Sequence, residues 1–136
     1  MKQIRLLPLI LLFLLPSCAR TPERILSMVW GVDVTRIEHQ VEEFKEVWYP
    51  NGDGFTKIRM KVDLPQEEII ELVSKGARPL PLRESDRDNK WLERISGIKN
   101  AHNGVYYFED NNQGAEIEFL IYDKESQTLF YYLHII

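Results

Sequence analysis

The chain has 136 residues, of which 44% are hydrophobic and 28% are charged. This composition is typical of one globular domain and excludes a disordered or collagen-like chain. The single cysteine excludes an intramolecular disulfide and a cysteine-only metal site. The formal net charge of −4 argues against non-specific nucleic-acid binding, so we expect no nucleic-acid partner.

The amino terminus has the pattern of an export signal. Lys2 and Arg5 give it a positive start, and the apolar run Leu6–Leu15 follows. A membrane-spanning helix needs about 20 apolar residues, so this run of ten is too short to cross a bilayer. A basic start, a short apolar stretch and small residues behind it predict a secretory signal.

The end of the apolar run carries a more specific motif, Leu15-Pro16-Ser17-Cys18. It resembles the lipobox of bacterial lipoproteins, although Pro16 departs from the usual residue at its position. The resemblance implies a signal peptide over residues 1–17 that is removed, a diacylglycerol thioether on Cys18, and fatty acylation, for example with palmitate, of the new amino terminus. It therefore implies a protein anchored in the cell envelope. In a Gram-negative cell, Ala19 resembles the pattern of outer-membrane lipoproteins that face the periplasm.

Two other interpretations stay open. Cleavage after Ala19 would release a soluble secreted domain, because Ser17-Cys18-Ala19 also fits a small-x-small cleavage site. Alternatively, Cys18 is an ordinary apolar residue of an uncleaved anchor. We favour lipidation because the cysteine stands directly behind the apolar run, where a signal has to end.

Lipid processing would leave a short tether, residues 18–21, in front of a single domain, residues 22–136. It would remove two basic residues and no acidic one, so the 17 Lys+Arg become 15 against 21 Asp+Glu and the net charge becomes −6. Anionic headgroups repel an acidic domain held close to them. We therefore expect the most acidic face of the domain to point away from the membrane.

Local signals predict a first helix over residues 22–30. Thr21 can cap this helix, Pro22 suits its first position, and Gly31 can end it. Helical spacing gives it an apolar stripe, which we expect to be buried: Ile25, Leu26, Val29 and Trp30.

Residues 35–49 fit either a helix or a strand. We choose a strand over 41–49, because the turn sequence at 50–54 needs a strand before it and the alternating strand 57–62 comes after it. The irregular spacing then requires a bulge near Glu42-Glu43.

The second strand of this hairpin has a basic face, formed by Lys57, Arg59 and Lys61. One interpretation is a patch for an anionic ligand. We prefer pairing with the acidic strand before the turn, because opposite charges stabilise a ladder. If Asn51-Gly52 is central in the turn, Glu46 faces Lys57 and Glu42 faces Lys61.

The middle of the chain is predicted to be helical and then irregular. A helix is expected over residues 65–75, and its buried side is Ile69, Ile70 and Val73. Residues 79–82 are expected to be extended, residues 83–90 to form a charged surface loop, and residues 91–95 a short helix.

Three antiparallel strands are predicted at the end of the chain, over residues 105–109, 116–123 and 128–135. A turn at 124–126 would pair three apolar residues with three others, and would leave Glu116 and Glu118 facing water. The expected pairs are Ile121 with Leu129, Phe119 with Tyr131 and Ile117 with Leu133. The predicted fold class is α+β, with an antiparallel sheet of about five strands and two or three helices packed on one face.

Residues beyond the signal loosely resemble small uncharacterised bacterial lipoproteins. The shared features are the Asn-Gly-Asp-Gly hairpin at 51–54, the Gly-Val-Tyr-Tyr-Phe strand at 104–108 and the aromatic meander at 122–132. This resemblance implies no activity.

No sequence motif carries an obvious reaction. His39, His102 and His134 are scattered without metal-ligand spacing, so we expect neither a metal nor a cofactor. The hairpin turn shares part of a calcium-loop pattern, but Tyr49 and Met60 occupy the positions that need ligands. No nucleophile motif occurs, whereas carboxylates are abundant enough for two to lie close together.

Three functional hypotheses follow from these observations. The first is a non-catalytic, lipid-anchored envelope protein that acts through contacts with an unidentified envelope protein. The second is an inhibitor or immunity-like binder of an exported toxin or hydrolase, suggested by the acidic domain and its aromatic-rich strands. The third is a hydrolase that uses a pair of carboxylates.

Overall fold

A computed structural model describes residues 20–87, 89, 100–111 and 115–136. The predicted signal peptide, Cys18 and the predicted helix at 91–95 therefore lie outside the described residues. Helices α1 to α3 span Pro22–Trp30, Gln66–Ser74 and Glu84–Arg87. Strands β1 to β6 span His39–Trp48, Gly54–Val62, Arg78–Pro79, Gly104–Asn111, Glu116–Asp123 and Thr128–Ile135.

The strands form one antiparallel sheet in the order β1-β2-β6-β5-β4-β3. Apolar side chains are buried on both of its faces. One face packs against α1 and α2, and we name its buried cluster the helix-side core; it includes Leu26, Ile58, Met60, Leu72, Leu120 and Tyr131. The cluster on the other face, named the far-side core, includes Leu80, Tyr106, Ile117, Phe119, Ile121 and Phe130.

The α1 helix begins and ends where its capping signals predict. The Thr21 hydroxyl accepts a hydrogen bond from the backbone N–H of Arg24, and Pro22 occupies the first turn. Gly31 ends the helix with a left-handed φ of 71°, a conformation that glycine adopts without steric cost. The predicted stripe is correct except at Val29, whose side chain is exposed.

The α2 helix confirms the prediction of a helix in this segment, but its buried side is different. Ile69 and Leu72 point into the helix-side core, whereas Ile70 and Val73 are exposed. Four apolar residues cannot all face the sheet from this short helix. Leu72, which is fully buried, fixes the rotation that leaves Ile70 and Val73 outside.

The β1–β2 hairpin confirms the strand interpretation and the bulge. Glu42 is the extra residue, since Val41 pairs with Met60 and Glu43 pairs with Arg59. The predicted register is wrong by one residue, because five residues separate Trp48 from its partner Gly54. The pairs Glu46–Lys57 and Glu42–Lys61 therefore do not form, and the partner of Glu46 in the ladder is Thr56.

The β5 and β6 strands have the predicted bounds, but their register also differs by one residue. Phe119 pairs with Tyr132, Ile121 with Phe130 and Glu118 with Leu133. The turn has four residues, because Gln127 adopts a left-handed φ of 53° and Asp123 pairs with Thr128. A shift of one residue exchanges the two faces of a strand. Phe119 consequently lies in the far-side core, and Glu118 lies on the helix side.

Over the described residues the fold class is α+β with an antiparallel sheet and three helices, as predicted at this level. The sheet that they form has six strands instead of about five, because the extended segment after α2 contributes the two-residue β3. Of the three described helices, α1 and α2 pack on the helix-side core. The α3 helix replaces part of the loop predicted at 83–90, and its Asp86 accepts a hydrogen bond from Tyr106 of the far-side core.

Candidate functional site

The described chain begins with an ion pair that holds its first residue on β1. Nε and Nη2 of Arg20 donate to the two carboxylate oxygens of Glu46, each at 2.6 Å. Glu46 also accepts a hydrogen bond of 2.7 Å from the Thr56 hydroxyl. The hydrogen bonds from Arg20 lower the pKa of the Glu46 carboxyl against the effect of burial. A bidentate ion pair of this kind fixes both the position and the orientation of the Arg20 guanidinium.

The same cluster lines an open depression of about 600 Å³ beside the hairpin. Its lining residues are Arg20, Glu46 and Trp48, and the indole Nε1 of Trp48 donates to the Thr56 hydroxyl at 3.2 Å. We name these three residues together with Thr56 the tether clamp. Sequence reasoning missed it, because 26 residues separate the two charged partners.

The predicted lipid-attachment residue, Cys18, lies outside the described residues, two positions before Arg20. Arg20, the first described residue, is bound to Glu46 of β1. Within the described part of the chain, no helix is long and apolar enough to cross a membrane.

The basic face of β2 is engaged by neighbouring groups within the protein. Lys57 lies 3.2 Å from Glu43, so it pairs with the acidic strand through a different residue from the one predicted. The Arg59 guanidinium lies over the Phe130 ring at 5.6 Å. Lys61 donates to the Ser126 carbonyl at 2.9 Å and to the Thr128 hydroxyl at 3.0 Å.

The three histidines do not come together. His39 uses both ring nitrogens, at 2.7 Å from the Ile37 carbonyl and at 3.1 Å from Glu23, and these contacts raise its pKa. His102 lies 3.4 Å from Glu125, and His134 packs edge-on against Tyr132. Among the residues that the structure describes, no group of three or more His, Cys, Asp and Glu could hold a metal ion.

The predicted turn at 50–54 is stabilised by its own side chains. The side-chain amide of Asn51 donates to the Asp53 carboxylate at 3.0 Å, and its Oδ1 accepts from the Asp53 backbone N–H at 3.1 Å. These contacts use the groups that a calcium loop would offer as ligands.

Two carboxylates meet on the β4–β5 ladder. Glu109 and Glu118 are direct partners across the strands, which places their Cβ atoms about 5 Å apart. Glu118 accepts a 2.7 Å hydrogen bond from Tyr131, and Glu109 accepts hydrogen bonds from Tyr107 and Asn111.

The two carboxyl groups differ in pKa. Burial raises the pKa of Glu118, and the charges of Glu109 and Glu116 act in the same direction against the Tyr131 hydrogen bond. Hydrogen bonds from Tyr107 and Asn111 lower the pKa of the exposed Glu109. The pKa values of the two carboxyls are thus shifted in opposite directions, as in pairs that divide acid and base roles.

Glu118→Gln is expected to stabilise the protein at neutral pH. Because folding raises the pKa of Glu118, the ionised form destabilises the folded state above the ordinary carboxyl pKa of about 4.3. Glutamine keeps an acceptor for Tyr131 and carries no charge. The gain should be below about 1 kcal/mol at neutral pH, since the site is partly solvated, and should vanish at pH below about 4. Urea unfolding of the wild type and of Glu118→Gln at neutral pH and below about pH 4 measures this gain in stability. An equal gain under both conditions would contradict a raised pKa for Glu118.

No protein-family model matches the chain, and the comparisons with curated proteins and with solved structures find no similar protein.

Proposed function

We propose that this protein is a lipid-anchored component of the bacterial cell envelope, held on the membrane through Cys18 and acting through protein contacts without catalysis. The observation that carries the proposal is the position of Cys18, directly after a short apolar run and two residues before a chain segment that is fixed on the domain. A cysteine at this boundary has the position of a lipidated residue between a removable signal and a folded domain.

The physical consequence of lipidation is stable attachment. Each buried methylene contributes about 0.8 kcal/mol, so one acyl chain binds marginally and two or more anchor a protein durably. The tether clamp would favour an anchor near β1, because Arg20, two residues after Cys18, donates two hydrogen bonds to Glu46.

Exposed apolar side chains on the helical layer support a role in protein contacts. Met28 and Val29 of α1 are 76% and 44% exposed, and Ile70 and Val73 of α2 are 59% and 48% exposed. The segment after α1 lies against α2, where the Asp33 N–H donates to Glu68 at 3.2 Å. Apolar residues that face solvent on neighbouring elements are typical of interaction surfaces.

The aromatic residues of the last three strands do not supply such a surface. Tyr106, Phe119, Tyr122, Phe130 and Tyr131 are at most 2% exposed. These five aromatic residues, which contributed to the inhibitor or immunity-like hypothesis, therefore form core, and a partner of that kind would have to contact other residues.

Palmitate labelling with membrane fractionation tests the anchor. Wild-type protein is expected to incorporate labelled palmitate and to sediment with membranes after a high-salt wash, which releases proteins held only by charge. Cys18→Ala should abolish the label. Ser27→Ala, at an exposed serine of α1, is a matched control that should leave palmitate labelling and membrane sedimentation unchanged. Unlabelled wild-type protein, or membrane attachment that survives Cys18→Ala with equal labelling, would contradict the proposal.

One observation favours a second candidate, a hydrolase that uses Glu118 as the acid and Glu109 as the base or nucleophile. Their pKa values are shifted in opposite directions and they are partners across β4–β5, features shared with the acid and base carboxyls of glycoside hydrolases. Glycan hydrolysis by the wild-type protein that Glu118→Gln abolishes, and that Glu116→Gln retains, would favour this candidate over a non-catalytic role.

A further inference from the structure

The hairpin end of the sheet carries a group of exposed apolar and aromatic side chains. Val47, Trp48, Tyr49 and Ile136 are 39%, 37%, 61% and 65% exposed, and we name them the hairpin-end cluster. The register joins them across the sheet, since Trp48 pairs with Gly54 and Gly54 pairs with Ile135, the neighbour of Ile136. Val47 and Trp48 are successive residues of β1 and point to opposite faces, so the cluster surrounds this end of the sheet from both of its faces.

Arg20, the first described residue, lies beside this cluster. Arg20 is bound to Glu46, which is two residues before Trp48 on the same side of β1, and all three residues line one depression. Cys18 stands two residues before Arg20 in the sequence, and two residues of extended chain span about 7 Å. A lipid on Cys18 would therefore draw the membrane toward the side of the domain where Arg20 and Trp48 line the depression.

The charges around the cluster allow it to approach a membrane. In the tether clamp the charges of Arg20 and Glu46 offset each other, which leaves the Asp53 carboxylate, hydrogen-bonded by Asn51, as the acidic group at the turn. The other half of the same sheet end, where β4 ends and β5 begins, carries Asp110 and Glu116. Contact with the membrane is therefore more favourable on the β1–β2 side of this sheet end. The half that carries Asp110 and Glu116 would tilt away from anionic headgroups.

We propose that the hairpin-end cluster inserts into the interface of the phospholipid bilayer in which the anchor sits, so that the domain is held in one orientation and does not swing freely. This inference rests on the proposed lipid attachment at Cys18. Tryptophan and tyrosine side chains combine an apolar ring with a polar group, and they are enriched at the level of the lipid headgroups for that reason. Insertion would bury the exposed parts of Trp48 and Tyr49 and leave the helical layer accessible to a partner.

A fluorophore placed in the cluster tests the inference on the full lipidated protein. Cys18 is the only cysteine, so once its sulfur carries lipid, Tyr49→Cys provides one free thiol for an environment-sensitive dye. Ile70→Cys on α2 is the matched control, because Ile70 and Tyr49 are 59% and 61% exposed. Both proteins are reconstituted into vesicles of phosphatidylethanolamine and phosphatidylglycerol that contain a spin-labelled quencher lipid.

The dye at position 49 is expected to shift to shorter wavelength and to be quenched at least about threefold more strongly than the dye at position 70, since interfacial groups lie about 5–10 Å into the headgroup and acyl boundary. A dye on Val47→Cys should show the same wavelength shift and quenching as a dye on Tyr49→Cys. Val47→Cys replaces Tyr49→Cys in the experiment if the latter does not fold. Equal and weak quenching at positions 49 and 70 in vesicle-bound protein would overturn the inference and leave the anchor intact.

Two further results separate this inference from the anchor on which it rests. Wild-type protein that fails to float with the vesicles, or that takes up the thiol dye at Cys18, would overturn the lipid attachment itself.

Discussion

Phe119→Ala is expected to lower the free energy of unfolding by about 3–5 kcal/mol, a large part of the total for a domain of this size. Phe119 is 2% exposed and stacks with three rings of the far-side core. The distances between ring centroids are 5.2 Å to Tyr132, 5.7 Å to Phe130 and 6.3 Å to Phe108. Alanine removes these contacts and leaves a cavity that the surrounding sheet cannot close.

Urea unfolding of the purified protein measures this effect, and Phe119→Leu is the matched control. Leucine retains most of the buried volume, so its cost should be below about 1.5 kcal/mol. A loss below about 0.5 kcal/mol for Phe119→Ala, which is typical of surface substitutions, would contradict the placement of Phe119 in a core.

Gly104→Ala is expected to cost about 3 kcal/mol or more, because it combines backbone strain with a collision. Gly104 has a φ of 136°, and a Cβ atom there would lie 1.9 Å from the carbonyl oxygen of Tyr122. That oxygen belongs to the backbone of β5, so the β4–β5 ladder would have to open where the Gly104 carbonyl also accepts from Leu80.

Gly52→Ala separates the two components of this cost. Gly52 also has a positive φ, of 92°, but no atom lies within 4 Å of the position of its added Cβ. Its cost should therefore be strain alone, about 1–2 kcal/mol. Thermal and urea unfolding compare the two variants, and equal losses would show that the close approach at Gly104 is not a constraint on the fold.

Sequence reasoning succeeded where the signal is local. The ends of α1 follow from Thr21, Pro22 and Gly31, because capping chemistry acts within one turn of a helix. The bounds of β5 and β6 follow from alternation and flanking turn residues. The bulge at Glu42 followed from the conflict between helical spacing and a hairpin turn.

Register could not be predicted, because the sheet is buried on both faces. In β5, Phe119 and Leu120 are both buried, so either face satisfies the apolar pattern. The loop then decides, and Gln127 takes a left-handed conformation that glycine or asparagine usually signals. In the β1–β2 hairpin, burial alternates along β2, and it is the five-residue turn between Trp48 and Gly54 that displaced the predicted charge pairs.

The candidate sites depend on contacts that are distant in sequence. Arg20 was predicted to belong to the tether, but its pairing with Glu46 requires the path of α1 across the sheet. The pairing of Glu109 with Glu118 likewise requires the β4–β5 register. Conversely, the lipobox resemblance rests on four consecutive residues, so the membrane anchor could be proposed from the sequence without knowledge of the fold.

The mass of the amino-terminal peptide of the membrane-purified protein tests the central claim most directly. We predict a peptide that begins at Cys18, lacks residues 1–17, and carries the added mass of diacylglycerol on its sulfur and a fatty acyl group on its amino nitrogen. A free thiol at residue 18, a first residue other than Cys18, or a peptide that still contains Leu15 would contradict the account.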